Sequence, residues 1–158
     1  MHLHRIVPQH YAGDLSGEGA RIYGGRWNPP GIAVVYTSET VALALLEVLA
    51  NVPHQLIKSG DFHKVTIEVP ENATIRMVAM EELPGEWKNF PPPSRLAAIG
   101  AEWLNKGETL LLRVPCAVTG GDGYNYLINP SHPQASSLRI VGNNRFSFDS
   151  RILMVKNN

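Results

Sequence analysis

The sequence predicts an α+β fold in one domain. Several short runs of apolar and β-branched residues have the length of strands, and two longer runs have the pattern of helices. Strands and helices do not alternate regularly along the chain, which is typical of an α+β or mixed-sheet fold. The 158 residues are enough for one domain that buries its core without disulfides.

The first 60 residues contain one predicted strand and one predicted helix. Residues 11–31 are rich in glycine and are predicted to be loop with little regular structure. Residues 31–36 follow a Pro-Pro-Gly turn, and their apolar, partly β-branched run predicts a short buried strand. Residues 41–50 predict a helix that begins at a cap formed by Thr37 or Ser38 and ends before the next proline.

The chain after residue 60 contains a second predicted helix and most of the predicted strands. Residues 63–69 alternate between polar and apolar positions and predict a half-exposed strand. After three consecutive prolines, Ser94 is predicted to cap a helix that extends to about Leu104. The other predicted strands cover residues 74–77, 109–114, 124–128, 138–141 and 146–155.

Charge and cysteine content narrow the possible functions. Fourteen basic residues balance fourteen acidic ones, which argues against direct nucleic-acid binding by this chain. The only cysteine is Cys116, so no intramolecular disulfide can form, and scattered histidines with one cysteine predict no metal site. The N-terminus lacks the apolar core of a signal peptide, and no stretch approaches the ~20 apolar residues of a membrane span. These features predict a cytoplasmic protein.

The segment Gly24-Gly25-Arg26-Trp27-Asn28 is one candidate site. Two glycines let a backbone approach a ligand closely, and an arginine offers a planar cationic fork for a phosphate or a carboxylate. The alternative is a turn with a surface arginine and a tryptophan in the core. The glycines form neither a P-loop nor a dinucleotide-binding fingerprint.

Three single residues are further candidates. Glu47 is the only charged residue in the helical run 41–50. A carboxylate among apolar neighbours is a candidate catalytic residue. The alternative is that this face of the helix is exposed to solvent. Tyr36 ends a predicted strand, where an aromatic ring can stack on a ligand or fill the core. Cys116 is either a nucleophile that needs a base or an inert buried thiol.

Together, segments spread over nearly the whole chain resemble the RES domain, the toxin of a bacterial toxin–antitoxin family. The order of the segments is also that of the family. The matching segments are Arg5-Ile6, residues 17–20, Gly24-Gly25-Arg26-Trp27-Asn28, Val35-Tyr36, Ala44-Leu45-Leu46-Glu47, Ile99-Gly100, Trp103-Leu104, Val114-Pro115, residues 125–130, His132-Pro133 and residues 148–151.

The resemblance implies that residues 1–158 form one RES domain with the split-sheet fold of the ADP-ribosyltransferases and diphtheria-type toxins. It implies NAD⁺ as the substrate, cleaved at the nicotinamide–ribose bond by hydrolysis or phosphorolysis, with phosphate as a possible co-substrate and no resident cofactor. The expected partner is a helix-turn-helix antitoxin that covers the active site and represses the operon, and a homodimer is possible. The alternatives are ADP-ribosyl transfer to a protein, or a catalytically weak member that binds its antitoxin or a nucleotide.

The family is named after arginine, glutamate and serine. Arg26 and Glu47 match the first two, and Arg5 is a second candidate for the arginine. Cys116 stands where the family has serine, and a thiol is the weaker hydrogen-bond donor. The resemblance implies that Glu47 stabilises an oxocarbenium-like ribose, Arg26 binds the pyrophosphate and Tyr36 stacks on nicotinamide. The implied substrate-binding residues are Arg5, Gly25, Trp27, Asn28, Cys116 and Asn125.

Overall fold

A mixed sheet of seven strands organises the chain in the computed structural model, which describes residues 1–154. The strands are β1 (His2–Pro8), β2 (Val35–Ser38), β3 (Phe62–Glu68), β4 (Ile75–Met77), β5 (Leu111–Pro115), β6 (Tyr124–Ile128) and β7 (Arg139–Phe146). Over the same residues the α-helices are α1 (Glu18–Tyr23), α2 (Val41–Asn51), α3 (His54–Ser59) and α4 (Ser94–Lys106). No helix in this part of the chain is long and apolar enough to cross a membrane.

The sheet divides into two halves between β2 and β1. Its strand order is β4-β5-β6-β2-β1-β3-β7, and β4 and β5 form a parallel pair while the other neighbours are antiparallel. β1 pairs with β3 along its whole length, but its register with β2 consists of His4 opposite Ser38. The strands therefore part beyond that point, and the predicted α+β fold with a split sheet is confirmed.

Two groups of helices cover the two halves of the sheet. Helix α4 packs Leu96, Ile99 and Trp103 against the half that contains β5 and β6. Helices α2 and α3 pack around Ile6 of β1 and Phe62 of β3, in the other half. Helix α2 is thereby placed beside the split, because it also contacts β2.

The start of α2 differs from the prediction. Thr40 is the N-cap, since its Oγ1 accepts a hydrogen bond of 3.1 Å from the backbone N–H of Leu43. The predicted caps Thr37 and Ser38 are wrong, because both residues extend β2, and the Thr37 hydroxyl donates to the backbone carbonyl of Tyr126 at 2.6 Å. The strand predicted over residues 31–36 therefore begins and ends later than expected.

The start of α4 also differs. Ser94 is the first residue of the helix and not its cap, and Pro93 occupies the N-cap position without a side-chain hydrogen bond. Proline fits a helix start because it has no N–H of its own to satisfy and its φ is fixed near the helical value.

Several short elements were missed or misplaced. Residues 11–31 are not all loop, since they contain α1, and neither β1 nor α3 was predicted. Helices of six residues are too short to show an apolar period. The strand predicted over residues 146–155 is wrong for residues 147–154, because β7 ends at Phe146, and residue 155 lies outside the described residues. The strand predicted over residues 138–141 is the first part of β7.

Candidate active site

A cavity of about 740 Å³ opens where β1 and β2 part. Its walls come from β1, β2, one face of α2 and the segment that contains α1. This volume lies within the range of small-molecule sites. The predicted site residues that line it are Arg5, Gly25, Arg26, Trp27, Tyr36, Glu47 and Asn125.

Glu47 is half-buried on the cavity face of α2, and hydrogen bonds fix both of its carboxylate oxygens. Oε1 accepts from Asn125 Nδ2 at 2.7 Å and from Cys116 Sγ at 3.3 Å. Oε2 accepts from Asn51 Nδ2, one turn along the helix, at 3.1 Å. These donors hold an anionic carboxylate in one orientation against the cavity.

Ser38 determines which end of the Asn125 amide faces Glu47. The hydroxyl of Ser38 donates to Asn125 Oδ1 at 2.7 Å, so the amide nitrogen points to the carboxylate. Ser38 is 3% exposed at the end of β2. The sequence reasoning missed this residue; a polar side chain at the end of a buried strand was the available signal.

Tyr36 presents its ring to the cavity while its hydroxyl is used inside the protein. The hydroxyl donates to Asn28 Oδ1 at 2.7 Å and accepts from the backbone N–H of Trp27 at 3.0 Å. Burial raises the pKa of Tyr36, and the nearby charge of Glu47 adds to that effect while Arg26 opposes it. The hydroxyl therefore stays protonated at neutral pH.

Asn28 and Gly25 shape the cavity wall around this tyrosine. Asn28 does not line the cavity; it is buried, and its amide donates to the backbone carbonyls of Ala20, Pro29 and Ile32. Gly25 lies so close to Tyr36 that a Cβ would come within 2.6 Å of the hydroxyl oxygen. Asn28 therefore supports the cavity wall from inside the protein, and its contact with substrate stays a prediction.

Arg26 crosses from the glycine-rich segment to the loop before α4. Its Nη1 donates to the backbone carbonyl of Trp87 at 2.8 Å and to that of Asn89 at 3.2 Å. Lys88 and Phe90, the neighbours of these residues, also line the cavity. Arg26 thus contributes a positive charge to the cavity wall and also holds the loop before α4. The sequence analysis did not predict that this loop belongs to the site.

Arg5 is the second cavity-lining arginine. Its Nη1 donates to the backbone carbonyl of Asp14 at 3.1 Å, and within residues 1–154 its buried Nε has no hydrogen-bond partner. Burial lowers the pKa of Arg5, and the Asp14 carboxylate partly offsets this. The Arg5 guanidinium carries five N–H donors and gives one of its nitrogens to Asp14, so it retains donors for an anion in the cavity.

Cys116 lies behind Glu47 and does not line the cavity. Cys116 is 0% exposed and contacts Glu47, and its contact with substrate stays a prediction. Burial raises the pKa of the Cys116 thiol; hydrogen bonds with Thr119 oppose the shift and the Glu47 charge adds to it. The thiol is therefore protonated at neutral pH and acts as a donor to Glu47 rather than as a nucleophile.

The fold and the cavity together indicate the class of protein. A split sheet holds the oriented Glu47 carboxylate together with Arg5 and Arg26 on a cavity of substrate size, which Asp14 and Glu18 also line, and such a set of charged groups is typical of an enzyme active site. Among residues 1–154, no group of three or more His, Cys, Asp or Glu side chains can hold a metal ion.

The family follows from sequence comparison. A sequence model of the RES domain matches residues 2–149, and the chain therefore belongs to the RES domain family. The Toxin Res protein of Yersinia enterocolitica (serotype O:8 / biotype 1B) is 36% identical over 154 residues, which are 96% of this chain and 99% of the relative. The Prs ADP-ribosylating toxin of Sphingobium sp. (strain YBL2) is 34% identical over 148 residues, which are 90% of this chain and 88% of the relative.

A solved structure shares the fold. The match is to the M. tuberculosis MbcT–MbcA toxin–antitoxin complex, with a TM-score of 0.76 and 21% identity. It covers 92% of this chain and 84% of the matched chain.

Proposed function

We propose that this chain is the toxin of a toxin–antitoxin system and that it destroys NAD⁺ by cleaving the nicotinamide–ribose bond. The relatives named as toxins support the first part. The observation that carries the second part is the Glu47 carboxylate, which three side-chain donors orient on the wall of the cavity.

Glu47 supplies the negative charge that this reaction needs. When the C1′–N bond breaks, nicotinamide leaves as a neutral molecule with the bonding electrons, and positive charge develops on the ribose C1′ and its ring oxygen. An oriented carboxylate in a partly desolvated cavity stabilises that charge without first having to reorganise. An acceptor oxygen then bonds to C1′ and releases its proton.

The two arginines account for recognition of the diphosphate. Arg5 uses one of its three nitrogens for the Asp14 carbonyl, and Arg26 uses one of its three for the loop carbonyls. A guanidinium has five N–H donors, so both residues retain donors for phosphate oxygens. Their charges offset the cost of moving a dianionic diphosphate out of water.

The Tyr36 ring is the proposed support for nicotinamide. Its hydroxyl is held by Asn28 and Trp27, so the ring has one fixed position beside the charges of Arg26 and Glu47. A fixed aromatic face can stack on the pyridinium ring and place the ribose next to Glu47.

The experiment is liquid chromatography of NAD⁺ after incubation with the purified, antitoxin-free chain, with and without phosphate. Release of nicotinamide supports cleavage. Release in phosphate-free buffer with ADP-ribose as the co-product identifies water as the acceptor, and dependence on phosphate with a phosphorylated sugar product identifies phosphorolysis. No release by a folded chain would contradict the proposal and favour a weak or inactive binding module.

ADP-ribosylation of a protein is the second candidate, because one relative is named a Prs ADP-ribosylating toxin. The chemistry at C1′ is the same, and a nucleophilic side chain of the target replaces water or phosphate as the acceptor. Adenylate-labelled NAD⁺ and a cell extract distinguish the candidates on a denaturing gel. A labelled protein band that depends on Glu47 supports transfer, while label confined to small molecules supports NAD⁺ destruction.

The proposed partner is a helix-turn-helix antitoxin that covers the cavity. The similarity in fold to a chain of a toxin–antitoxin complex supports a partner of this kind. Co-expression of the cognate antitoxin is expected to restore growth and to block NAD⁺ loss in the purified complex. The cytoplasmic location and the homodimer stay predictions, which fractionation and light scattering check.

A further inference from the structure

Two exposed aromatic rings stand at the mouth of the cavity, outside the machinery described above. Among the large apolar side chains of residues 1–154, Phe90 and Tyr23 are the most exposed, at 83% and 78%. Both line the same cavity as Glu47. They come from separate segments: Tyr23 ends α1, and Phe90 lies in the loop before α4.

Neither ring packs into a core cluster, but the segments that carry the two rings are held in place. The Phe90 loop is anchored by buried Trp87 and by the hydrogen bonds from Arg26 to the Trp87 and Asn89 carbonyls. Arg26 itself follows Tyr23 by three residues, and it therefore ties the two ring-bearing segments together. A large apolar ring kept at a cavity mouth by such anchors is typical of a binding surface.

We propose that Tyr23 and Phe90 form an aromatic rim that binds the purine base of the dinucleotide. This rests on the proposed function, in which the other end of NAD⁺ lies at Glu47. Flat heterocycles stack well on exposed aromatic faces, and such stacking is largely independent of hydrogen bonding.

The charges between the rim and Glu47 fit this ligand. Arg26 and Lys88 line the cavity next to the rim segments, and Arg5 lines it on β1. Asp14 and Glu18 line it as well, and the Glu18 carboxylate is paired with Arg21. A ligand with a flat ring, a central diphosphate and a second flat ring matches an aromatic mouth, cationic walls and an aromatic floor at Tyr36. A mononucleotide that lacks the adenylate would reach Glu47 but leave the rim empty.

The test measures binding of ADP-ribose and of ribose 5-phosphate by calorimetry, in the wild type and in rim variants. Phe90→Ala and Tyr23→Ala are expected to weaken ADP-ribose binding by about five- to one-hundred-fold each, as base stacking on an aromatic ring predicts. Binding of ribose 5-phosphate should stay unchanged. Phe90→Trp should retain the affinity and Phe90→Leu should lose it, because leucine keeps apolar area but not a flat face. Leu56→Ala is the matched control, since Leu56 is 56% exposed and lies away from the cavity.

Turnover gives the second readout. The rim variants should lower kcat/KM for NAD⁺ and leave kcat/KM for nicotinamide mononucleotide unchanged. Equal affinity for ADP-ribose in the wild type, Phe90→Ala and Tyr23→Ala would overturn the inference, and loss of antitoxin binding alone in these variants would assign the rim to a protein contact instead. Because the calorimetry needs no bond cleavage, failure of the inference and failure of the proposed function are distinguishable.

Discussion

Asn125 donates a hydrogen bond of 2.7 Å to Glu47, although 78 residues separate them along the chain. The contact joins β6 of one half-sheet to α2, which packs on the other half. Ser38 fixes the amide from behind at 2.7 Å. The carboxylate is therefore oriented by the fold itself before any ligand arrives.

Asn125→Ala is expected to lower kcat for NAD⁺ about ten- to one-hundred-fold and to change KM little. The variant removes a hydrogen bond to a charged group, worth about 1.5–3 kcal/mol, and lets the Glu47 carboxylate rotate. Steady-state kinetics of nicotinamide release measure the effect. Asn143→Ala is the control, because Asn143 is an exposed asparagine on β7. A pure KM effect would show that Asn125 binds substrate rather than positioning Glu47.

Cys116→Ser is expected to retain or raise turnover, by at most about ten-fold, because a hydroxyl is a stronger donor to Glu47 than a thiol. Kinetics at neutral pH check this, with circular dichroism as the control for folding. A ten-fold loss would contradict the account and indicate that the thiol itself reacts.

The same thiol predicts a pH dependence of stability. Burial raises the pKa of folded Cys116, so its contribution is complete below the pKa of an unfolded thiol and is lost as pH rises through the folded value. The free energy of unfolding should therefore fall at alkaline pH more in the wild type than in Cys116→Ser, which has no thiol to titrate. If the free energy of unfolding fell by the same amount in both chains across the alkaline range, the raised pKa of Cys116 would be contradicted.

Tyr36→Phe should destabilise the fold while leaving the cavity ring in place. The change leaves Asn28 Oδ1 and the Trp27 N–H without their partner, which costs about 1–3 kcal/mol. The expected fall in Tm is roughly 5 °C, measured by thermal denaturation, with turnover per folded molecule within a few-fold of the wild type. Tyr23→Phe, whose ring is exposed, is the control and should keep the Tm. Loss of turnover without loss of stability would instead give the hydroxyl a direct role in the reaction.

Gly100→Ala should be among the most destabilising single-methyl additions in the domain. A Cβ on Gly100 of α4 would lie 1.7 Å from the backbone oxygen of Trp27. The helix and the glycine-rich segment would therefore have to move apart. Overpacking of this kind costs about 1–3 kcal/mol or more. Gly85→Ala is the control, because a Cβ there meets no atom within 4 Å. Equal Tm values for the two variants would show that α4 moves without cost.

The long and regular elements could be predicted from the sequence. The helix at residues 41–50 and the strand at residues 124–128 carry complete local patterns, and the structure has α2 and β6 there. The short elements α1 and α3 could not be predicted in this way, because six residues show no periodicity. β1 was missed although it is central in the sheet, since its sequence mixes histidines, an arginine and apolar residues.

Some residues of the site could also be predicted from local sequence, and the roles of others could not. Glu47 could be selected from the sequence because it is a single charged residue in an apolar run, and the structure places it on the cavity wall. The roles of Asn28 and Cys116 depend on contacts with residues far along the chain, such as the bond from Cys116 to Glu47 across 69 positions. Sequence alone does not contain that geometry, and so neither the burial of these two side chains nor their contacts with Tyr36 and Glu47 could be predicted.

The most direct test of the central claim is the rate of nicotinamide release from NAD⁺ by Glu47→Gln beside the wild type. Glutamine keeps the size and an acceptor oxygen for Asn125 but removes the charge, so the account predicts a folded chain whose kcat is about 10²–10³-fold lower. Glu102→Gln, on the exposed surface of α4, is the control and should match the wild type. Unchanged turnover in Glu47→Gln would contradict the assignment of Glu47 as the catalytic carboxylate.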